Sequence, residues 1–127
     1  MERWLGRFSD VAYALLRVMA GLMFALHGSQ KFFDFPPGGH GTVELLSLHG
    51  LAGAIELVGG LMIALGIFAG YAAFIASGEM AVAYFMVHAP QSFWPVANGG
   101  ELPALYSFVF LYIATRGNGR YAIMSRK

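Results

Sequence analysis

Four apolar runs, residues 11–28, 51–68, 70–87 and 102–115, make up more than half of this 127-residue chain and decide the solvent it can fold in. A helix needs roughly 20 apolar residues to cross a hydrocarbon core about 30 Å thick. The first three runs, at about 18 residues each, come close. The fourth, rising about 1.5 Å per residue, reaches only about 21 Å and must thin the bilayer or gain length from its flanks. Composition points the same way: 57% of residues are hydrophobic and 12% charged, against roughly a quarter charged in ordinary globular domains. Lipid offers no partners to backbone N–H and C=O groups, so such runs are expected to be helices. The predicted fold is an all-α membrane protein, an antiparallel four-transmembrane-helix bundle forming a single domain over residues 1–127.

Charge placement predicts the orientation. Arg3 and Arg7 precede the first run, Arg116, Arg120, Arg126 and Lys127 follow the last, and the connections share only Lys31. By the positive-inside rule both termini face the cytoplasm, which requires an even number of crossings. The basic residues flank membrane segments and make no nucleic-acid face. The stretch Ala25, Leu26, His27, Gly28 after Phe24 has no small-x-small cleavage pattern, so the first run is expected to remain as a helix. Residues 29–50 and 88–101 would then form outer loops, with Phe32, Phe33, Phe35, Phe93 and Trp94 in an interfacial belt and Trp4, Phe8 and Tyr121 at the inner interface. The connection around Ala69 and Gly70 is short enough to force a tight hairpin. Pro103 suits the first turn of a fourth helix fed by the Asn98-Gly99-Gly100 turn.

Three ionisable residues, Arg17, Glu56 and Glu79, lie deep within three different apolar runs. A charge at a membrane helix centre costs roughly 2.5 to 3.5 kcal/mol on insertion scales, so it persists where it is paired or useful. Arg17, Ala20, Phe24, His27 and Lys31 share one helical face, bordered by Gly21 and Gly28. Gly53, Glu56, Gly60 and Ala64 share a second, and Ala72, Ala76, Glu79 and Ala83 a third. Small residues allow close helix approach in lipid, so these faces are expected to turn inward, most simply as packing surfaces. Counting from the run midpoints places Glu79 near the midplane, Arg17 about 5 Å toward the cytoplasm and Glu56 about 5 Å outward. That spacing favours an Arg17–Glu79 pair. One arginine cannot neutralise two glutamates, so this layer is a candidate for proton or charge handling, against the alternative of a buried network that only sets helix register.

The same counting puts His27, Lys31, His49, His88 and Glu101 near the outer helix ends, where they could contact a quinone head group or relay protons. A metal site is disfavoured because no two histidines stand at i, i+3 or i, i+4. Haem held by His27 and His88 has no supporting signature. His40, among Gly38, Gly39 and Gly41, reads as part of a turn-rich loop, which lacks the strand and the lysine of a phosphate loop. With no cysteine in the chain, disulfides, thiolate nucleophiles and cysteine-ligated clusters are excluded, and redox chemistry would need a borrowed cofactor.

Arg17 with Gly21 and His27-Gly28-Ser29-Gln30-Lys31, then Glu56-Leu57-Val58-Gly59-Gly60 with Leu65 and Gly66, then Asn98-Gly99-Gly100-Glu101 with Tyr106 and the Gly117-Asn118-Gly119-Arg120 turn follow one another in an order that resembles the DoxX family of small four-helix membrane proteins. The resemblance covers nearly the whole chain. The glycine-rich loop around His40 and the long aromatic third loop depart from it. It implies a multi-pass protein of the cytoplasmic (inner) membrane and, more loosely, a subunit or accessory of a quinone-linked oxidoreductase, with quinone as cofactor and oxidoreductase subunits or further copies of the chain as partners alongside membrane lipid. A non-catalytic scaffold or assembly partner is the alternative. A small-solute carrier is a weaker one, since no discontinuous helix pair or inverted repeat is evident.

Overall fold

The computed structural model describes residues 1–37, 42, 44 and 46–125. Its architecture is all-helical. Helix α1 is Ser9–Phe33, led in by a short helical stretch from Glu2. Helix α2 is Leu48–Leu65 and α3 is Ala69–His88. A single turn at Pro95–Asn98 leads into α4, Glu101–Arg116. Three helices, Glu2–Phe33, Leu48–Leu65 and Ala69–His88, are long and apolar enough to cross a membrane. The fourth has 16 residues and lies along α3. The expected positions of His40 and its glycines, and of Arg126 and Lys127, fall outside the described residues.

The apolar runs mark the helices but not their ends. The second run continues to Phe68 in sequence, yet α2 stops at Leu65. Gly66 adopts φ +74°, its N–H and that of Ile67 both reach Met62 O at 2.9 Å, and the chain turns there. This left-handed glycine cap overrides hydrophobicity, because the carbonyls at a helix end need partners wherever the turn allows them. Hydrophobicity alone had carried the second run three residues too far. At the other end, Ser47 caps α2 by accepting a hydrogen bond from Gly50 N at 2.9 Å. Asn118 Oδ1 accepts from Ala69 N at 2.7 Å, capping α3 from the far end of the chain.

Helices α1 and α2 meet through glycine. A Cβ on Gly21 would lie 2.5 Å from the backbone nitrogen of Ala64, and one on Gly60 2.5 Å from that of Ala25. Only hydrogen fits, so the small-residue faces read from sequence are the surfaces on which the backbones touch. Helices α3 and α4 are tied by reciprocal bonds: Ser77 Oγ donates to Ser107 O at 2.7 Å, and Ser107 Oγ donates to Ser77 O at 3.1 Å. Phe24 of α1 lies between these layers, 4.7 Å from the Phe110 ring, and Phe110 stacks on Tyr106 at 5.3 Å. Large apolar side chains including Leu15, Met19, Phe74, Phe85 and Phe108 point outward. An apolar exterior around a small-residue interior suits lipid and not water.

The start of α1 and residues 117–124 lie at one end of the bundle. Tyr13 near the start of α1 donates to Gly117 O at 2.6 Å, and residues 121–124 run back across the end of α2, with Ile123 N bonded to Leu65 O and Met124 N to Gly66 O. Most aromatic residues expected at interfaces are exposed near the helix ends, Trp4, Phe8 and Tyr121 at the terminal end and Phe33, Phe35, Phe93 and Trp94 at the opposite, loop end, whereas Phe32 is half-buried beside Gly53.

Candidate functional site

Arg17 is almost fully buried, as its position in an apolar run requires, but it meets neither glutamate. Its Nη1 donates to Ile63 O at 2.6 Å and to Ala64 O at 2.7 Å, and its Nη2 donates to Tyr121 O at 2.6 Å. The expected Arg17–Glu79 pair is therefore corrected. The carbonyls that end α2 carry the negative end of its dipole and lack partners within the helix, so a guanidinium fork one layer below them is held more firmly than it would be at the bilayer centre. Arg17 fastens the C-terminal tail to the end of α2.

The cation that serves the carboxyls is Lys31, in the last turn of α1. Its Nζ donates to both Glu56 oxygens, at 2.7 and 2.6 Å. Glu56 is 2% exposed and the Lys31 side chain 30%, so the pair joins a buried carboxylate to a lysine whose stem reaches it from the polar end. Glu79 on α3 is close enough to Glu56 and Lys31 for their charges to act on it, while its Oε1 is buried without a hydrogen-bond partner among the described residues. Ionised carboxylates only accept hydrogen bonds and repel one another, so two neighbouring carboxyls are accommodated best when they share a proton. Two carboxyls thus share one ammonium, the imbalance inferred from sequence but with Lys31 in place of Arg17.

Glu56 sits in a departure from regular helix. Residues Ile55–Gly59 form one π-helical turn within α2, and Tyr84–His88 form another at the end of α3. Isolated π turns recur at functional sites because the extra residue re-aims a side chain. No periodicity in the sequence announces either.

The carboxyl pair is flanked by two spaces. Toward α4 lies a cavity of about 100 Å³ lined by Phe24, His27, Lys31, Glu56, Met80 and Tyr106, among others. His27 stands at its edge, its ring 6.1 Å from that of Tyr106. On the other side a groove of about 420 Å³ runs between α2 and α3, past Leu51, Ile55, Ile75 and Val82, with His49 at one end and Glu79 along its length. The four apolar residues bordering it are half-buried or exposed, so the groove opens sideways to the surroundings of the bundle.

The outer residues expected to converge therefore divide. His27 and Lys31 join Glu56 at the cavity, and His49 joins Glu79 at the groove. Glu101 lines a separate open depression with Pro95, Val96 and Phe108. His88 lines none of these; its ring is 6.4 Å from that of Tyr84. Among the described residues no three His, Cys, Asp or Glu side chains are arranged to hold a metal ion.

Comparison with known proteins gives a consistent picture. The family model described as DoxX matches residues 12–89, a stretch that contains Arg17, Lys31, Glu56 and Glu79. A protein of Haemophilus influenzae, described as uncharacterized, is 45% identical over 125 residues, covering 94% of this chain and 92% of the relative. No solved structure matches the chain.

Proposed function

The chain belongs to the DoxX family, and on that premise we propose that it serves as a subunit or accessory of a quinone-linked oxidoreductase in the cytoplasmic membrane. It is a multi-pass integral membrane protein, and in this reading α4 completes a fourth crossing and both termini face the cytoplasm, as the arginines flanking the helices favour. The observation that carries the proposal is the pair Glu56 and Glu79 on a single ammonium, beside a laterally open groove with His49. A quinone carries a polar ring on an apolar tail, and exchanges protons whenever it exchanges electrons. A groove of about 420 Å³ falls within the range of small-molecule sites, roughly 300 to 1,000 Å³. The ring would take hydrogen bonds from His49 and from the protonated member of the carboxyl pair, and the pair would give or receive the proton. Electrons would come from a partner subunit. Purification in mild detergent, followed by quinone extraction and reduced-minus-oxidised spectroscopy, tests this. Copurifying quinone with an oxidoreductase partner is the expected result; absence of both quinone and quinone-dependent turnover contradicts the proposal.

A non-catalytic assembly partner is the second reading, and the fate of Arg17 favours it, because both terminal nitrogens of this membrane charge bond backbone carbonyls that join the tail to α2. Glu79→Gln separates the two: a scaffold keeps its partner complex and its associated activity, whereas a proton-handling site loses the activity with the complex intact.

A further inference from the structure

Tyr106 carries a polar atom the fold leaves without use. The residue is 6% exposed, its ring packs on Phe24 and Phe110, and its hydroxyl is buried with no hydrogen-bond partner among the described residues. A buried hydroxyl without a partner costs on the order of 1 to 3 kcal/mol, and phenylalanine would pack the same ring contacts without that cost. Tyr106 lines the cavity of about 100 Å³ that is also lined by the Lys31–Glu56 pair. A water takes about 30 Å³ in the liquid and needs two to four polar partners, so the space fits about three. Tyr106, Glu56, Lys31 and His27, the polar side chains among its lining residues, offer those partners. His27 is exposed and Lys31 half-buried, so the cavity leads from the carboxyls toward the loop end.

We propose that this cavity is a water site, in which a short chain of ordered waters seated on Tyr106 connects the Glu56–Glu79 pair to the aqueous phase at the loop end. Protons then reach the carboxyls from one side, and the groove at Glu79 meets lipid from the other. A proton leaving the pair passes to the nearest water while the far end of the chain releases one at His27, so the waters stay neutral and the pair, left one charge more negative, remains beside Lys31. Tyr106 is a positioning residue: it holds water and takes no proton itself. The inference deepens the proposed function by giving that site its proton entry, and it rests on that reading only for its purpose.

Hydrogen–deuterium exchange of the full-length protein in phosphatidylcholine nanodiscs tests it without quinone. Infrared spectroscopy follows the C=O band of the protonated carboxyl, identified by its loss in Glu79→Gln. Complete exchange within seconds of transfer to deuterated buffer is expected in the wild type, and exchange slowed at least tenfold in Tyr106→Phe. Should Tyr106→Phe fail to fold, Leu102→Phe, which enlarges another residue lining the cavity, is expected to slow exchange in the same way. Absence of the band, wild-type exchange over hours, or folded cavity variants exchanging at the wild-type rate would each overturn the inference. Because no quinone is present, fast exchange with slow variants stands even if the quinone titration described in the Discussion fails.

Discussion

Lys31 and Glu56, 25 residues apart in sequence, meet through both carboxylate oxygens at 2.6 and 2.7 Å, and this contact joins α1 to the π turn of α2. Among the described residues it places the cation of the carboxyl pair on one of the two carboxyls. Removing it leaves Glu56 buried at 2% exposure without its cation. Lys31→Met is expected to cost about 2 to 4 kcal/mol, near the low end for broken buried pairs because water reaches the lysine. The double variant Lys31→Met with Glu56→Gln should recover part of that loss. Unfolding of the three variants in one detergent checks this, and strictly additive losses would show that the two residues are uncoupled.

Arg17 makes its own test possible. Arg17→Gln removes the donors to Ile63 O, Ala64 O and Tyr121 O, so the tail after Gly117 should become cleavable by protease at concentrations that spare the wild type. Arg17→Lys should restore little, since one ammonium cannot reproduce a planar fork that spans two segments. Cleavage of the variant at the wild-type rate would mean that the tail is held elsewhere.

Glu79 borders the lipid-facing groove and Glu56 does not. A lipid-soluble carbodiimide, which reacts with protonated carboxyls, is therefore expected to modify Glu79 in preference to Glu56, as read by mass spectrometry of the digested protein. Labelling should be unchanged in Arg17→Gln. Had Arg17 been the partner of Glu79, its loss would favour the protonated carboxyl and raise the labelling.

Backbone contact between α1 and α2 predicts a sharp contrast among glycines. Gly21→Ala or Gly60→Ala drives a methyl group into the facing backbone and should destabilise by at least about 1 to 3 kcal/mol. Gly78, with nothing within 4 Å of a Cβ, should accept alanine with no loss or a gain of up to about 1 kcal/mol, from helix propensity alone. Thermal unfolding of the three variants gives the comparison.

The helices were legible in the sequence because an apolar run of the right length has few alternatives in lipid, and the inward faces were legible because small residues recur at helical spacing. The imbalance of two carboxyls to one cation was legible too. Its partner was not: depth counting assumes straight, regular helices, and the π turn at Ile55–Gly59 with the early stop at Gly66 moved the α2 carbonyls to Arg17 and Glu56 to Lys31. Lys31 stood on the correct face, four residues beyond His27, and the reach of a lysine stem was the available signal. Tyr106 gave no sign of its place, since an aromatic residue in an apolar run looks the same whether its hydroxyl meets a cavity or lipid.

The most direct measurement of the central claim is calorimetric titration of the nanodisc-embedded protein with a short-chain benzoquinone. Saturable binding at one site per chain, weakened at least tenfold in Glu79→Gln and His49→Leu but unchanged in Arg17→Lys, is the predicted result. No saturable binding, or equal affinity in the wild type and Glu79→Gln, would contradict it.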